Sequence, residues 1–424
     1  MTAHDPTTDV QAALRHAHHT EWAWVVASTV RLTRDLDLAQ ECVQDAYAQA
    51  LQTWPTAGVP ARPGAWLTTV ARNRARDLLK RESVFRRTMP LLVMDEESEV
   101  DLHRPAVDDA LLRLIFTCCH PALRRDAQVA LTLRLVCGLS TAEVARAFLV
   151  SEPTMAARIT RAKKKITHAR IPYRIPAAPE LPQRLAGVTE VVHLIFTTGH
   201  AAPAGTDLLR ADLLDRALEL AGLLHRLLPD EPEVAALLAL LRLTDARRST
   251  RMAGGELVLL ADQDRRQWDR AQIDEGVGLL TTVLRRAPAG RFALQAAIAA
   301  VHAEAPSWAA TDWSEIVGLY DLLRRRWPNP VVEMNRAVAI GFRDGPQAGL
   351  AEIDRLLAEP ALSTYAYLAA ARADLLRRLD RPAQARLAYE EALALTDNAV
   401  ERTFLARRLH ELPPPAPSGP IATP

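Results

Sequence analysis

Apolar residues recur at three- and four-residue steps along almost the whole chain. Leu36, Ala39, Val43, Ala46, Tyr47 and Ala50 form one such run, which puts a single apolar face on a helix. Pro55, Gly58, Pro60, Pro63 and Gly64 then mark a loop, and a second helix is predicted over about residues 65–81. The stretch from Pro90 to Pro105 reads as a linker. A further helical bundle runs over about 108–170 and closes at the proline-rich joint IPYRIPAAPELP. From 183 to about 412 the period stays helical, apart from one hairpin or short strand pair at Gly254-Gly255 ahead of ELVLL. The final ELPPPAPSGPIATP cannot pack a core and is expected to be disordered. The expected fold class is all-α.

Composition agrees with this pattern. Hydrophobic residues make up 49% of the 424 positions and aromatics only 5%, so the cores must be built from alanine and leucine, both good helix formers. No stretch of about 18 uncharged apolar residues exists to span a membrane. The N-terminus, MTAHDPTTDV, lacks the basic-then-apolar order of a secretory signal. Four cysteines are too few and too irregular for a disulfide framework, and the chain reads as cytoplasmic. Near the C-terminus Ala373, Leu376, Ala385, Tyr389, Ala392 and Leu393 fall at the small and large positions of a tetratricopeptide-like helix pair. A weaker copy lies at Ala337, Ile340, Gly349, Ile353 and Leu356. Asp397 stands where that repeat usually has proline, and an ordinary helical hairpin remains the alternative.

The net charge of +1 conceals a split. Residues 1–175 hold 24 Lys and Arg against 19 Asp and Glu, a net of +5, which leaves −4 for the remainder. The excess is clustered: 72–87 carries seven basic residues against Asp77 and Glu82, and 158–170 carries six against none. Between them 95–109 carries seven acids against Arg104. Two basic modules joined by an acidic stretch suit a polyanionic partner.

Two constellations carry the chemistry. In WLTTVARNRARDLLKR (66–81), Leu67, Val70, Ala71, Ala75, Leu78 and Leu79 share one half of the helix, and Arg72, Arg76 and Lys80 line the other beside Asn73 and Asp77. Guanidinium forks match phosphate oxygens and an asparagine amide can read a base edge, although a solvated basic face would look the same. The second constellation is more specific. Ser140-Thr141-Ala142-Glu143 is a capping box that starts a short helix. A tight turn at Leu149-Val150-Ser151 follows, and a new helix begins with Ser151 as N-cap and Pro153 in its first turn. Met155, Ile159, Ala162 and Ile166 form its apolar stripe; Thr154, Arg158, Arg161 and Lys165 form a polar one, with Lys163 and Lys164 at the flanks. This is the pattern of a helix-turn-helix whose second helix enters the major groove.

These segments, in this order, resemble the extracytoplasmic-function sigma factors of bacterial RNA polymerase. RLTRDLDLAQECVQDAYAQAL…WLTTVARNRARDLLKRE (31–82) is similar to their domain 2, and residues 111–166 are similar to their domain 4. The long extension, with TDWSEIVGLYDLL and PNPVVEMNRAVA, resembles a subgroup with such a C-terminal domain. The resemblance implies a domain 2 over 10–88, an acidic linker over 89–107 and a domain 4 over 108–172. Beyond these it implies a helical extension over 183–290, a tetratricopeptide-like domain over 291–412 and the tail at 413–424.

It further implies that core RNA polymerase is a partner, through its β′ clamp helices and β flap, with promoter DNA as the other. Asp37, Glu41, Gln44 and Asp45 would face the polymerase. Arg72, Asn73, Arg76, Lys80 and Arg81 would hold the −10 element. Thr154, Arg158 and Arg161 would read the −35 element, with Lys163, Lys164 and Lys165 on its backbone. Trp54 and Trp66 are either core or platforms for unstacked bases. The acidic tail is expected to lie against the basic front and modulate it. No catalytic residue, metal ligand or cofactor is expected. Adjacent Cys118 and Cys119 with His120 read as packing, as do His193 and His200; the cluster Asp262–Asp269 has no role derivable from sequence. The competing readings are a helix-turn-helix regulator with a tetratricopeptide-like sensor, which leaves 31–82 unexplained, and an interaction scaffold.

Overall fold

The computed structural model describes residues 6–86, 104–148, 150–202 and 204–413, and the expected linker and tail lie outside them except at their edges. The chain divides into two compact units, Met1–Leu194 and Ile195–Pro424. In the first, α1 (Pro6–Thr33), α2 (Leu36–Ala57) and α3 (Pro63–Arg86) pack together, followed by α4 (Arg104–Cys118), α5 (Arg125–Leu131), α6 (Thr141–Ala147) and α7 (Glu152–His168). Helix α8 (Leu181–His200) crosses the boundary between the units. The second unit continues with α9 (Ala211–Leu227), α10 (Pro232–Asp245), α11 (Arg270–Arg286), α12 (Arg291–Glu304) and α13 (Trp313–Arg326). It ends with α14 (Pro330–Arg343), α15 (Pro346–Leu356), α16 (Ala366–Arg378), α17 (Pro382–Leu395) and α18 (Ala399–His410). The all-α expectation holds, and no described helix is long and apolar enough to cross a membrane.

Local sequence explains the boundaries. Asp35 caps α2 by accepting from the Asp37 and Leu38 amides at 2.8 and 2.9 Å. Gly58, at φ +83°, ends it in the left-handed region open to glycine. Of the apolar face read from sequence, Ala39, Val43, Ala46 and Ala50 are fully buried, Leu36 is 9% exposed and Tyr47 is half-buried. Helix α5 continues into a π-helical turn over Thr132–Val136, which no sequence signal announces.

The two sequence modules at 10–88 and 108–172 form one compact unit. Helix α1 packs against α4, the Trp22 indole N–H donates to Leu135 O at 3.2 Å, and the Tyr173 hydroxyl donates to Ala27 O and Ala110 O at 3.2 and 3.0 Å. Val25 and Val26 on α1 are fully buried, worth about 1.5–3 kcal/mol each relative to exposure.

In the second unit, neighbouring helices pack as successive hairpins. The expected strand pair is present: β2 (Met252–Ala253) runs antiparallel to β3 (Glu256–Leu257) through Gly254 and Gly255, both at positive φ. A second pair, parallel and not foreseen, joins β1 (Ala204–Gly205) to β4 (Asp397–Asn398). The pairs suspected of being repeats are α14–α15 and α16–α17, with Ala337, Ala373, Ala385 and Ala392 at most 1% exposed. Gly349 lies so close to Gly341 that a Cβ there would sit 2.6 Å from its Cα.

Candidate nucleic-acid interface

The interface is built on the capped pair α6–α7. Ser140 Oγ accepts from the Glu143 amide at 3.2 Å while Glu143 Oε2 accepts from the Ser140 amide at 2.6 Å, so the capping box is closed on both sides. Burial pushes the Glu143 carboxyl up, but the two Ser140 bonds and Arg146 outweigh it and hold the group below its ordinary value. Ser151 caps α7, and its hydroxyl lies 2.8 Å from that of Thr154, which restrains the first residue of the reading row.

Along α7 the buried residues are Met155, Ile159, Ala162, Lys163 and Ile166. Thr154, Arg161, Lys164 and Lys165 are exposed and Arg158 half-buried. Arg158 stacks over Phe148 at 5.5 Å, and its Nε lies 3.6 Å from Asp126 Oδ2, so α5 orients the guanidinium. Arg158, Arg161 and Lys165 line a concavity of about 400 Å³ together with Leu123, Arg124, Asp126, Ala127 and Ala162. Arg124 and Asp126 were missed by sequence reasoning, because nothing local connects them to a helix that starts 26 residues later.

Lys163 stands apart from that row. It is 8% exposed, and its ammonium lies 2.6 Å from Asp37 Oδ1 and 2.8 Å from Gln40 Oε1 on α2. A signal for this was available. At 100° per residue the apolar stripe separates Lys163 from Thr154, Arg158, Arg161 and Lys165, so its position is roughly opposite to theirs. Asp37, expected to face a polymerase, is thus brought together with Lys163, expected to face DNA.

The remaining expected residues lie on α2 and α3. Glu41 and Gln44 are exposed. Asp45 pairs with Arg74 at 2.9 Å, and both line a concavity of about 370 Å³ with Gln49, Val70, Asn73 and Asp77. Asn73 Oδ1 accepts from Arg76 Nη1 at 3.1 Å, and Asn73, Arg76, Lys80 and Arg81 are all exposed. Arg72 is half-buried; burial, then Arg76 and Arg31, lower its pKa, and its Nε has no hydrogen-bond partner. Trp54 is core at 1% exposure and meets the half-buried Trp66 edge-on at 5.5 Å.

The clusters set aside as packing residues also find places. Cys118 and Cys119 are buried, and burial drives the Cys118 thiol well up and the Cys119 thiol to about 11, the opposite of what a nucleophile or metal ligand requires. The Asp262–Asp269 segment resolves into a network. Gln263 accepts from the Thr250 hydroxyl at 3.2 Å and donates to Val258 O at 3.1 Å, the Trp268 indole donates to Thr250 Oγ1 at 3.0 Å, and Asp269 caps α11.

Comparison with known proteins bears on each segment. Residues 19–84 match the family described as Sigma-70 region 2, and residues 113–166 match Sigma-70, region 4. Residues 184–284 match a family of unknown function, DUF6596. An uncharacterized protein of Rhizobium meliloti (strain 1021) is 43% identical over 394 residues, covering 91% of this chain and 93% of that protein. No solved structure matches.

Proposed function

The chain belongs to the sigma-70 family, and from that premise we propose that it is a specificity subunit of the extracytoplasmic-function type, binding core RNA polymerase and opening a particular set of promoters. The observation that carries this reading is the order of the two regions along one chain, with an exposed basic row, in the second, on a recognition helix capped by Ser151 and preceded by a helix closed with a capping box. Thr154, Arg158 and Arg161 read base edges of the −35 element, while Lys164 and Lys165 hold phosphates. Asn73, Arg76, Lys80 and Arg81 hold the −10 strand. Asp37, Glu41, Gln44 and Asp45 dock on the β′ clamp helices, and domain 4 contacts the β flap. The work is done by binding, since strand opening needs captured bases and neutralised phosphates and no bond chemistry. The second unit, with its tetratricopeptide-like pairs, modulates this activity.

The test is run-off transcription of fragmented host DNA by purified core polymerase with and without the full chain. Discrete transcripts that appear only with the chain support the reading, and aligning their starts gives the promoter sequence. Salt-dependent DNA binding by the free chain, with no new transcript on adding polymerase, would favour a helix-turn-helix regulator instead.

A further inference from the structure

Helix α7 lies against the face of α2 that the proposed function assigns to polymerase. Asp37, Gln40, Glu41 and Gln44 on α2 face Ala156, Thr160 and Lys163 on α7 across a crevice of about 290 Å³. Lys163 occupies Asp37 Oδ1 and Gln40 Oε1 while α7 stays in place, so a cation of a partner helix must compete for them. The seam is polar and thin: its hydrogen bonds are those of Lys163 to Asp37 and Gln40, whereas the neighbouring α1–α4 contact is apolar and extensive.

We propose that Lys163 is an autoinhibitory latch, holding the DNA-reading helix over the polymerase-docking face of α2 so that polymerase and α7 compete for the same carboxylate. The contact is self-consistent as a latch because Asp37 has a second use. Asp37 is 73% exposed and can exchange the ammonium for a basic residue of the polymerase. The exposed row of Thr154, Arg161 and Lys165 is untouched by the latch, so closure blocks docking rather than DNA reading. The inference rests on the polymerase-docking assignment of α2.

The experiment places spin labels on the full-length chain at Ala48→Cys and Ala157→Cys, exposed positions on α2 and α7; the four native cysteines are buried. The free chain is expected to give one short distance. Lys163→Glu, which sets an acid beside Asp37 and Glu41, is expected to produce a longer population and to tighten binding to core polymerase about ten-fold, as loss of a dominant non-binding state requires. Adding Asp37→Lys to Lys163→Glu restores the pair and the short distance. Lys163→Gln, which keeps a partner for Gln40, guards against a folding defect and is expected to lengthen the distance partially. An unchanged distance in both folded variants overturns the latch alone. A short distance that persists in the polymerase complex overturns it as well, and failure of every form to bind polymerase overturns the docking assignment on which it rests.

Discussion

Asn398 is the residue whose replacement tests the architecture of the second unit most directly. It is 0% exposed, and one side-chain amide satisfies four backbone groups. Its Nδ2 donates to Ala202 O at 3.0 Å and Asp207 O at 2.9 Å, while Oδ1 accepts from the Val400 and Glu401 amides at 3.0 and 3.3 Å. The first two bonds close a loop of nearly two hundred residues onto the β1–β4 pair, and the last two cap α18. Asn398→Ala removes the cap, at about 1 kcal/mol, and leaves the buried Ala202 carbonyl unpaired, at about 1–3 kcal/mol, while the carbonyl of the exposed Asp207 is left to water. The expected loss is about 2–4 kcal/mol, a fall of roughly 1–2 M in the urea midpoint of this unit if its slope is near 2–3 kcal/mol per M. Asn398→Asp separates the two roles. It keeps the shape and the cap but turns a carboxylate oxygen onto two carbonyls. Such a group has a raised folded pKa, so its penalty is greatest at neutral pH and shrinks as the solution is acidified through that pKa and one oxygen becomes a donor. Amide exchange gives the local check: Val400 and Glu401 should lose protection in the alanine variant and keep it in the aspartate variant. An alanine variant within 1 kcal/mol of the parent, or an aspartate variant equally stable at pH 7, would refute the reasoning.

Three further outcomes are expected. Glu143 sits below its ordinary carboxyl range, so its contribution is complete above the unfolded value of about 4.3 and fades as pH falls through the lower folded value; Glu143→Gln should flatten that part of the urea-stability profile, and Ser140→Ala should cost about 1 kcal/mol at pH 7. In promoter binding by holoenzyme, Arg158→Ala should cost about 1–3 kcal/mol and relax choice at one base, whereas Lys164→Ala should weaken all sequences alike and reduce the salt slope by about one; identical behaviour of the two variants would remove the distinction between reading and holding. Gly349→Ala should lower the melting temperature despite the better helix propensity of alanine, because its Cβ would fall 2.6 Å from the Gly341 Cα between α14 and α15, and a rise on calorimetry would show that the pair can separate at no cost.

What could be read in advance was local. The capping box, the Ser151 cap with Pro153 behind it and the Gly254-Gly255 turn each lie within a few residues of the structure they dictate, and each appears where it was expected. The apolar stripes of α2 and α7 were legible for the same reason. Long-range pairing was not. Lys163 reaches Asp37 across 126 residues and Asn398 reaches Ala202 across 196, distances over which spacing carries no information about partners. The π-helical turn after α5, which packs against α1, α4 and α6, had no signal either.

Arginine explains why the charge count misleads. Helix ends leave carbonyls without intrahelical partners, and a guanidinium brought from elsewhere can satisfy them while complementing the negative end of the helix dipole. Arg184 donates to Phe116 O near the end of α4 at 2.6 Å, and Arg251, 9% exposed, donates to His200 O at the end of α8. Arg265 reaches His302 O and Ala305 O beyond α12, the latter at 2.9 Å, and Arg378 reaches Gly341 O in α14 at 3.0 Å. Arg402 closes α17 through Leu393 O at 2.6 Å. Burial pushes Arg251 down to about 9, the mark of a cation paired with dipoles and not with a carboxylate. Apart from the exposed Arg402, these side chains enter a net-charge sum as surface cations but serve as internal staples. The same holds for Lys163 and Arg74, each already holding a carboxylate. The surface of the second unit is therefore more acidic than its formal −3 suggests. In the first unit α3 and α7 each carry an exposed basic row, and a polyanion meets a defined stripe on either.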